Sequence, residues 1–368
     1  MMARFGLILS LVLVHWAICT TLPVAAVLLR QSRASEKAAA LGFSLIQAAI
    51  QILPLFFGYV ADKASGVRRM IIVAMATMIL ALGVLAGRFT VVGLLLMTLG
   101  YSAFKPCMQA IMVNTKGGSR AWKYAFLSHN FGSISSALAI GYLNNNSLWF
   151  ALSIGCLCIS LKAFVASRAD TVLRLEPVSL GATRALPIAS LIAYVIAFAP
   201  AHSSFVFAID EQWIRWHGFD VRIDKSVWIA YNCLVAFISC AVIPAKRAIQ
   251  RKSLLLGLQL TVIATVAFSV GLALRQFILP MAFIYYTVIG IAEAFIIPSA
   301  QAMISEDNAS ARTAGVVNVC TGLGYFIVMP LQGATSNASP STALLFASVP
   351  LIILVANRLV PLRFRRIA

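Results

Sequence analysis

Apolar positions gather into twelve runs of roughly 20 residues, the length that crosses a hydrocarbon core about 30 Å thick. They occupy 5–29, 39–60, 70–87, 89–114, 124–144, 147–167, 186–209, 226–244, 254–274, 277–303, 312–335 and 340–360. The pairs 124–144/147–167 and 254–274/277–303 are the least clearly divided. The pattern predicts an all-α polytopic membrane protein with twelve transmembrane helices. The first run follows Arg4 and reaches Val24-Ala25-Ala26, an outline that a signal peptide would share. Its apolar stretch is too long for a typical signal core, and comparable runs follow it, so it reads as a helix.

Composition agrees with this reading. Of 368 residues, 61% are hydrophobic and 11% charged, and the mean hydropathy is +0.92. A soluble domain cannot hide that much apolar surface. The seven cysteines fall within apolar runs without metal-ligand spacing and read as small packing residues. No metal or cofactor is expected.

The net charge of +18 would suit nucleic-acid binding, but its distribution encodes orientation instead. With the N-terminus in the cytoplasm, nineteen Lys and Arg fall on the cytoplasmic side and eight on the outer side. That asymmetry predicts cytoplasmic N- and C-termini. The basic loops suit contact with anionic lipid, and nucleic acid is not needed as a partner. An even number of helices with both ends inside predicts two six-helix halves, 1–167 and 186–368. They are joined by the polar cytoplasmic linker 168–185, which carries Pro177 and Gly181. The outer connector 210–225 holds Trp213, Trp216 and His217, aromatics suited to the headgroup level.

Against this background Lys105, Lys162 and Glu293 lie inside apolar runs. Lys162 sits near a helix end, where a long side chain reaches the interface. Lys105 and Glu293 lie deeper. A charge at membrane depth is costly and normally faces a cavity, a partner or a substrate path. One cation and one anion in opposite halves could select a zwitterion by charge at both ends. A structural ion pair between the halves is the alternative. Pro106 and Pro298 interrupt the same two runs and permit bending near the charges.

The turn Gly58-Tyr59-Val60-Ala61-Asp62-Lys63-Ala64-Ser65-Gly66-Val67-Arg68-Arg69 carries a second constellation. Gly58 allows close helix approach and Gly66 a tight reversal. Asp62 can pair with a guanidinium or cap the positive end of another helix. An ordinary charged turn would look the same.

This stretch resembles the Gly-x-x-x-Asp-Arg...Gly-Arg-Arg signature of the major facilitator superfamily. The extra residue before Gly66 is similar to the form found in its proton-coupled oligopeptide transporter family. Gly100-Tyr101-Ser102-Ala103-Phe104-Lys105-Pro106 resembles that family's fourth-helix block. The stretch 124–136, with Asn130-Phe131-Gly132-Ser133, is similar to its fifth-helix block. Gly290-Ile291-Ala292-Glu293 with Pro298 resembles the tenth-helix block, and Glu211-Gln212 a pair after the seventh helix.

The resemblance implies that Lys105 helps hold a peptide carboxylate and Glu293 its amino group, with Asn130 nearby. It also implies an inner latch of Asp62, Arg68 and Arg69, and an outer gate at Glu211 and Gln212. The family's first-helix Glu-x-x-Glu-Arg motif is absent; Leu11-Val12-Leu13-Val14-His15-Trp16 stands there instead. His15 is the candidate replacement for the missing arginine, able to titrate near neutral pH. His129 and His202 are weaker candidates.

The expected function is secondary transport of a small polar or zwitterionic solute such as a di- or tripeptide, by alternating access. The expected setting is a bacterial inner membrane, with the chain a monomer and proton coupling left open. An exporter of drugs or metabolites, or a non-transporting sensor or assembly protein on a transporter fold, shares most of these features. A membrane enzyme would want Ser/His, His/Asp or metal-ligand constellations, and no such spacing occurs.

Overall fold

The computed structural model describes residues 2–31, 36–116, 118–142, 146–167, 186–198, 225–243, 250–274, 278–305, 310–334 and 340–359. Among them the chain is entirely helical. The first group is α1 (Met2–Gln31), α2 (Glu36–Val60), α3 (Val67–Ala86), α4 (Thr90–Lys116), α5 (Gly118–Tyr142) and α6 (Asn146–Ala166). There follow α7 (Leu186–Phe198), α8 (Lys225–Val242), α9 (Gln250–Ala273), α10 (Ile278–Ser305), α11 (Ala311–Ala334) and α12 (Pro340–Leu359). A π-helical turn, Ala61–Ser65, extends α2 toward α3. Gly66 then reverses the chain at φ 73°, in the left-handed region that an L side chain resists.

Five described helices are long and apolar enough to cross a membrane: Val67–Ala86, Thr90–Val113, Leu148–Ala166, Gln250–Gly271 and Met281–Ile304. Their outward faces are apolar too. Val73, Leu80, Val91, Leu95, Ile159, Ile263 and Phe283 are all exposed, which suits lipid and would be a liability in water. Many polar side chains turn inward and find partners there. Ser10 and Ser160 each donate to the other's carbonyl, at 2.9 and 3.1 Å, stitching α1 to α6. Thr21, Thr98, Thr261 and Thr265 donate to the carbonyl one turn earlier in their own helices, an arrangement suited to hydrocarbon, where no water can serve. This is a multi-pass membrane protein.

The expected start of the fifth helix needs correction. The hydropathy pattern begins it at 124, whereas α5 begins at Gly118. Trp122, within this added stretch of helix, is fully buried. Lys123 therefore sits on a helix and not in a loop. The predicted linker 168–185, the outer part of the seventh run and the pair Glu211-Gln212 lie outside the described residues.

In the first six helices, α1 packs on α5 and α6, α3 on α4 and α2 on α4; in the last six, α9 packs on α10 and α12, and α8 on α10. Two seams join the groups, α2 against α11 and α5 against α8, with α4–α11 and α5–α10 contacts between them. Glycines bring α2 and α11 into backbone contact. A Cβ at Gly58 would collide with the Ala311 carbonyl, and one at Gly315 would stand 2.6 Å from the Pro54 carbonyl oxygen.

Candidate functional site

Lys105 stands on α4 directly before Pro106. Its ammonium donates to the side-chain oxygen of Gln51 on α2 at 2.8 Å. Glu293 stands on α10, where its carboxylate accepts from Asn232 Nδ2 of α8 at 3.2 Å. The Tyr194 hydroxyl of α7 lies beside the same carboxylate. Each charge is thus held by a neutral amide from a neighbouring helix. The ion pair weighed from sequence is not the arrangement here: Lys105 and Glu293 are placed on different partners.

His15, on α1, has Nδ1 2.7 Å from the Leu11 carbonyl oxygen. Its ring meets His129 of α5 edge to face at 4.7 Å between centroids, and Tyr101 of α4 at 5.9 Å. Both imidazoles lie within electrostatic reach of Lys105. Further along α1, Cys19 Sγ contacts Ser133 Oγ of α5 at 3.3 Å. Asn130 is buried. Its amide donates to the Phe126 carbonyl of its own helix at 3.0 Å, and its Oδ1 has no partner among the described residues.

Of the turn residues, Asp62 reaches furthest. Its two carboxylate oxygens accept the backbone N–H groups of Ala311 and Arg312 at 3.0 and 2.8 Å. Those donors open α11, so an anion sits on the positive end of a helix dipole. The Arg312 guanidinium and the Lys63 ammonium both stand over the Tyr59 ring, at 5.8 and 4.8 Å from its centre. Arg68 turns elsewhere. It donates to the Val165 carbonyl of α6 at 3.2 Å and lies over Phe164 at 5.8 Å. Arg69 is exposed.

Several contacts were not singled out from sequence. Lys123 of α5 donates to the Ala241 and Ile243 carbonyls at the C-terminal end of α8, at 2.9 and 2.7 Å. Asn318 of α11 donates to Gln109 Oε1 of α4 at 2.8 Å. Gln51 and Asn232 complete the set. The signal was available for these amides: Gln51, Gln109, Asn232 and Asn318 are polar residues within apolar runs, as Lys105 and Glu293 are. Among the described residues, no group of three or more His, Cys, Asp or Glu could hold a metal ion.

A helical bundle with an apolar outer surface, buried polar residues and glycine-packed seams is a membrane-protein architecture shared by solved transporters. A POT family peptide transporter in its auto-inhibited form is 14% identical to this chain, with a TM-score of 0.66 over 97% of this chain and 96% of that one. The human organic anion transporter MFSD10 is 12% identical, with a TM-score of 0.71 over 96% and 98%. The nucleoside transporter NupG is 13% identical, with a TM-score of 0.67 over 98% and 99%. No family model matches the sequence, and no curated protein matches it. The chain has the major facilitator fold and resembles the POT transporters in structure as it does in motif. Identities this low speak to the fold alone.

Proposed function

We propose that this chain is a secondary transporter of a small zwitterionic solute, such as a di- or tripeptide, in a bacterial inner membrane. Two six-helix halves, 1–167 and 186–368, rock about a central site as a monomer, joined by the linker 168–185, with both termini cytoplasmic. Lys105 takes the solute's carboxylate and Glu293 its amino group, with His15 and Asn130 beside them. The observation that carries this reading is the pairing of each half-buried charge with a neutral amide. A hydrogen bond to a charged group contributes about 1.5–3 kcal/mol, and a solute of opposite charge can displace the amide and supply full charge complementarity instead. The peptide, organic anion and nucleoside transporters that share the fold support a small-solute cargo.

In this reading the seam at Asp62 and α11 is the inner latch. Arg68 and Arg69 flank it on α3, Arg68 by fixing α3 to α6. Glu211 and Gln212 serve the outer gate. A proton or solute drives the cycle only by binding one state more tightly than the other.

The test is uptake of a di- and tripeptide panel into proteoliposomes, with and without an inward proton gradient. Lys105→Ala and Glu293→Gln are expected to abolish uptake while leaving a monodisperse membrane protein. Unchanged uptake in either variant removes the central-site reading. Loss of accumulation on expression, in place of gain, would select an exporter; binding without translocation would select a sensor.

A further inference from the structure

The wall formed by α1, α4 and α5 is chemically one-sided. None of α1, α4, α5 or α6 contains an Asp or Glu. The interior of this wall instead collects two imidazoles and an ammonium. Gly132 creates the arrangement: a Cβ there would lie 2.9 Å from His15 Cβ and 3.0 Å from the Val12 carbonyl oxygen. That close approach of α5 to α1 brings His129, one turn earlier, edge-on to His15.

Hydrogen-bond chemistry settles which nitrogen is free. A carbonyl oxygen only accepts, so His15 Nδ1 carries the hydrogen in its 2.7 Å contact with Leu11. Nε2 is then the nitrogen that gains and loses a proton. The titratable and charged groups around the pair are Lys105 and Tyr101 from α4, Cys19 from α1, and Cys233 of α8 near Ser133. Glu293 is engaged by Asn232 on the other wall. Among the described residues, a proton taken by either ring would therefore join an ammonium with no carboxylate beside it for balance. Like charges in an apolar setting repel strongly, and a bound anion relieves that repulsion.

We infer that His15, His129 and Lys105 form a proton-dependent anion subsite, in which an oxyanion of the solute is the counterion for the proton taken up by the imidazole pair. The inference rests on the central-site reading and adds a coupling route to it. The proton comes from bulk water and returns to it when the anion leaves. Reciprocal linkage requires each to promote binding of the other. Coupling then needs no first-helix acid, which is the motif this chain lacks.

The purified full chain in lipid nanodiscs is treated with diethyl pyrocarbonate, which acylates the unprotonated imidazole, between about pH 5 and 8. Labelling of each histidine is read by mass spectrometry. Sodium sulfate, sodium acetate and glycylglycine are the probes, against sodium chloride at matched ionic strength. A tenfold preference of the anion for the protonated pair moves the labelling curves of His15 and His129 up by about one pH unit. The curves in matched sodium chloride serve as the reference, and Lys105→Gln is expected to shrink the shift.

Curves for His15 and His129 unmoved by all three probes relative to sodium chloride overturn the inference. Because wild-type protein carries the decisive comparison, a variant that fails to fold does not blunt it. The uptake assay remains the separate judge of the central site: unmoved curves together with uptake that depends on Lys105 would sink the histidine subsite alone.

Discussion

The contact between Asp62 and the start of α11 can be weakened in graded steps. Its carboxylate accepts N–H groups from Ala311 and Arg312 at 3.0 and 2.8 Å, across a seam where Gly58 already brings the backbones together. Asp62→Asn keeps one acceptor and removes the charge; Asp62→Ala removes both acceptors. A charge on a helix end is worth about 0.3–1 kcal/mol when exposed and up to about 2 when partly buried. Loss of an N-terminal cap costs about 0.5–2 kcal/mol. For this half-buried carboxylate we expect about 1 kcal/mol for Asn and about 2 for Ala, which lowers the ratio of joined to separated seam about fivefold and about thirtyfold. Spin labels at Arg120 and Val242, both exposed and on opposite sides of the α5–α8 seam, report the separation by pulsed dipolar spectroscopy in a cysteine-free background. An Asp62→Ala distance distribution that matches its parent would refute the latch.

Three further predictions follow from the same seams. Gly58→Ala places a methyl group against the Ala311 carbonyl and the Arg312 nitrogen, all backbone atoms; the same spin-label pair should show separation worth about 1–3 kcal/mol, and an unchanged distribution would mean the seam yields without cost. Lys123→Met removes the donors to Ala241 and Ile243 and should shift the ratio about fivefold by itself. Combined with Asp62→Asn, it should add nearly independently, because both contacts part in the same opening; a double variant no different from Lys123→Met alone would show that the Asp62 seam does not control this opening. Asn318→Leu leaves Gln109 Oε1 without its buried donor and should lower thermal stability in detergent by an amount equivalent to about 1–3 kcal/mol, with no loss expected if Gln109 finds another partner.

Much of this was legible in the chain because lipid punishes charge and tolerates little ambiguity. Lys105 and Glu293 stood out against apolar neighbours, and capping of another helix by Asp62 was among the readings the turn allowed. What stayed hidden depends on which helices meet. Arg68 was grouped with Asp62 by proximity in sequence, yet α3 packs on α6 and carries Arg68 to Val165. Lys123 counted only as an orienting charge, whereas the structure places it on α5 at the end of α8. His129 gained weight only through Gly132, whose missing side chain lets α5 reach α1. Hydropathy records depth; it carries no information about azimuth around a helix or about partners distant in sequence.

The seams are held by charges of opposite sign on opposite helix ends: a carboxylate at the start of α11 and an ammonium at the finish of α8. Parting both at once would release one anion and one cation on the same face of the protein. The change in net charge is zero, so neither the anionic surface of the bilayer nor the membrane voltage gains purchase on that step. In the proposed cycle, that leaves differential binding of the solute to bias the step.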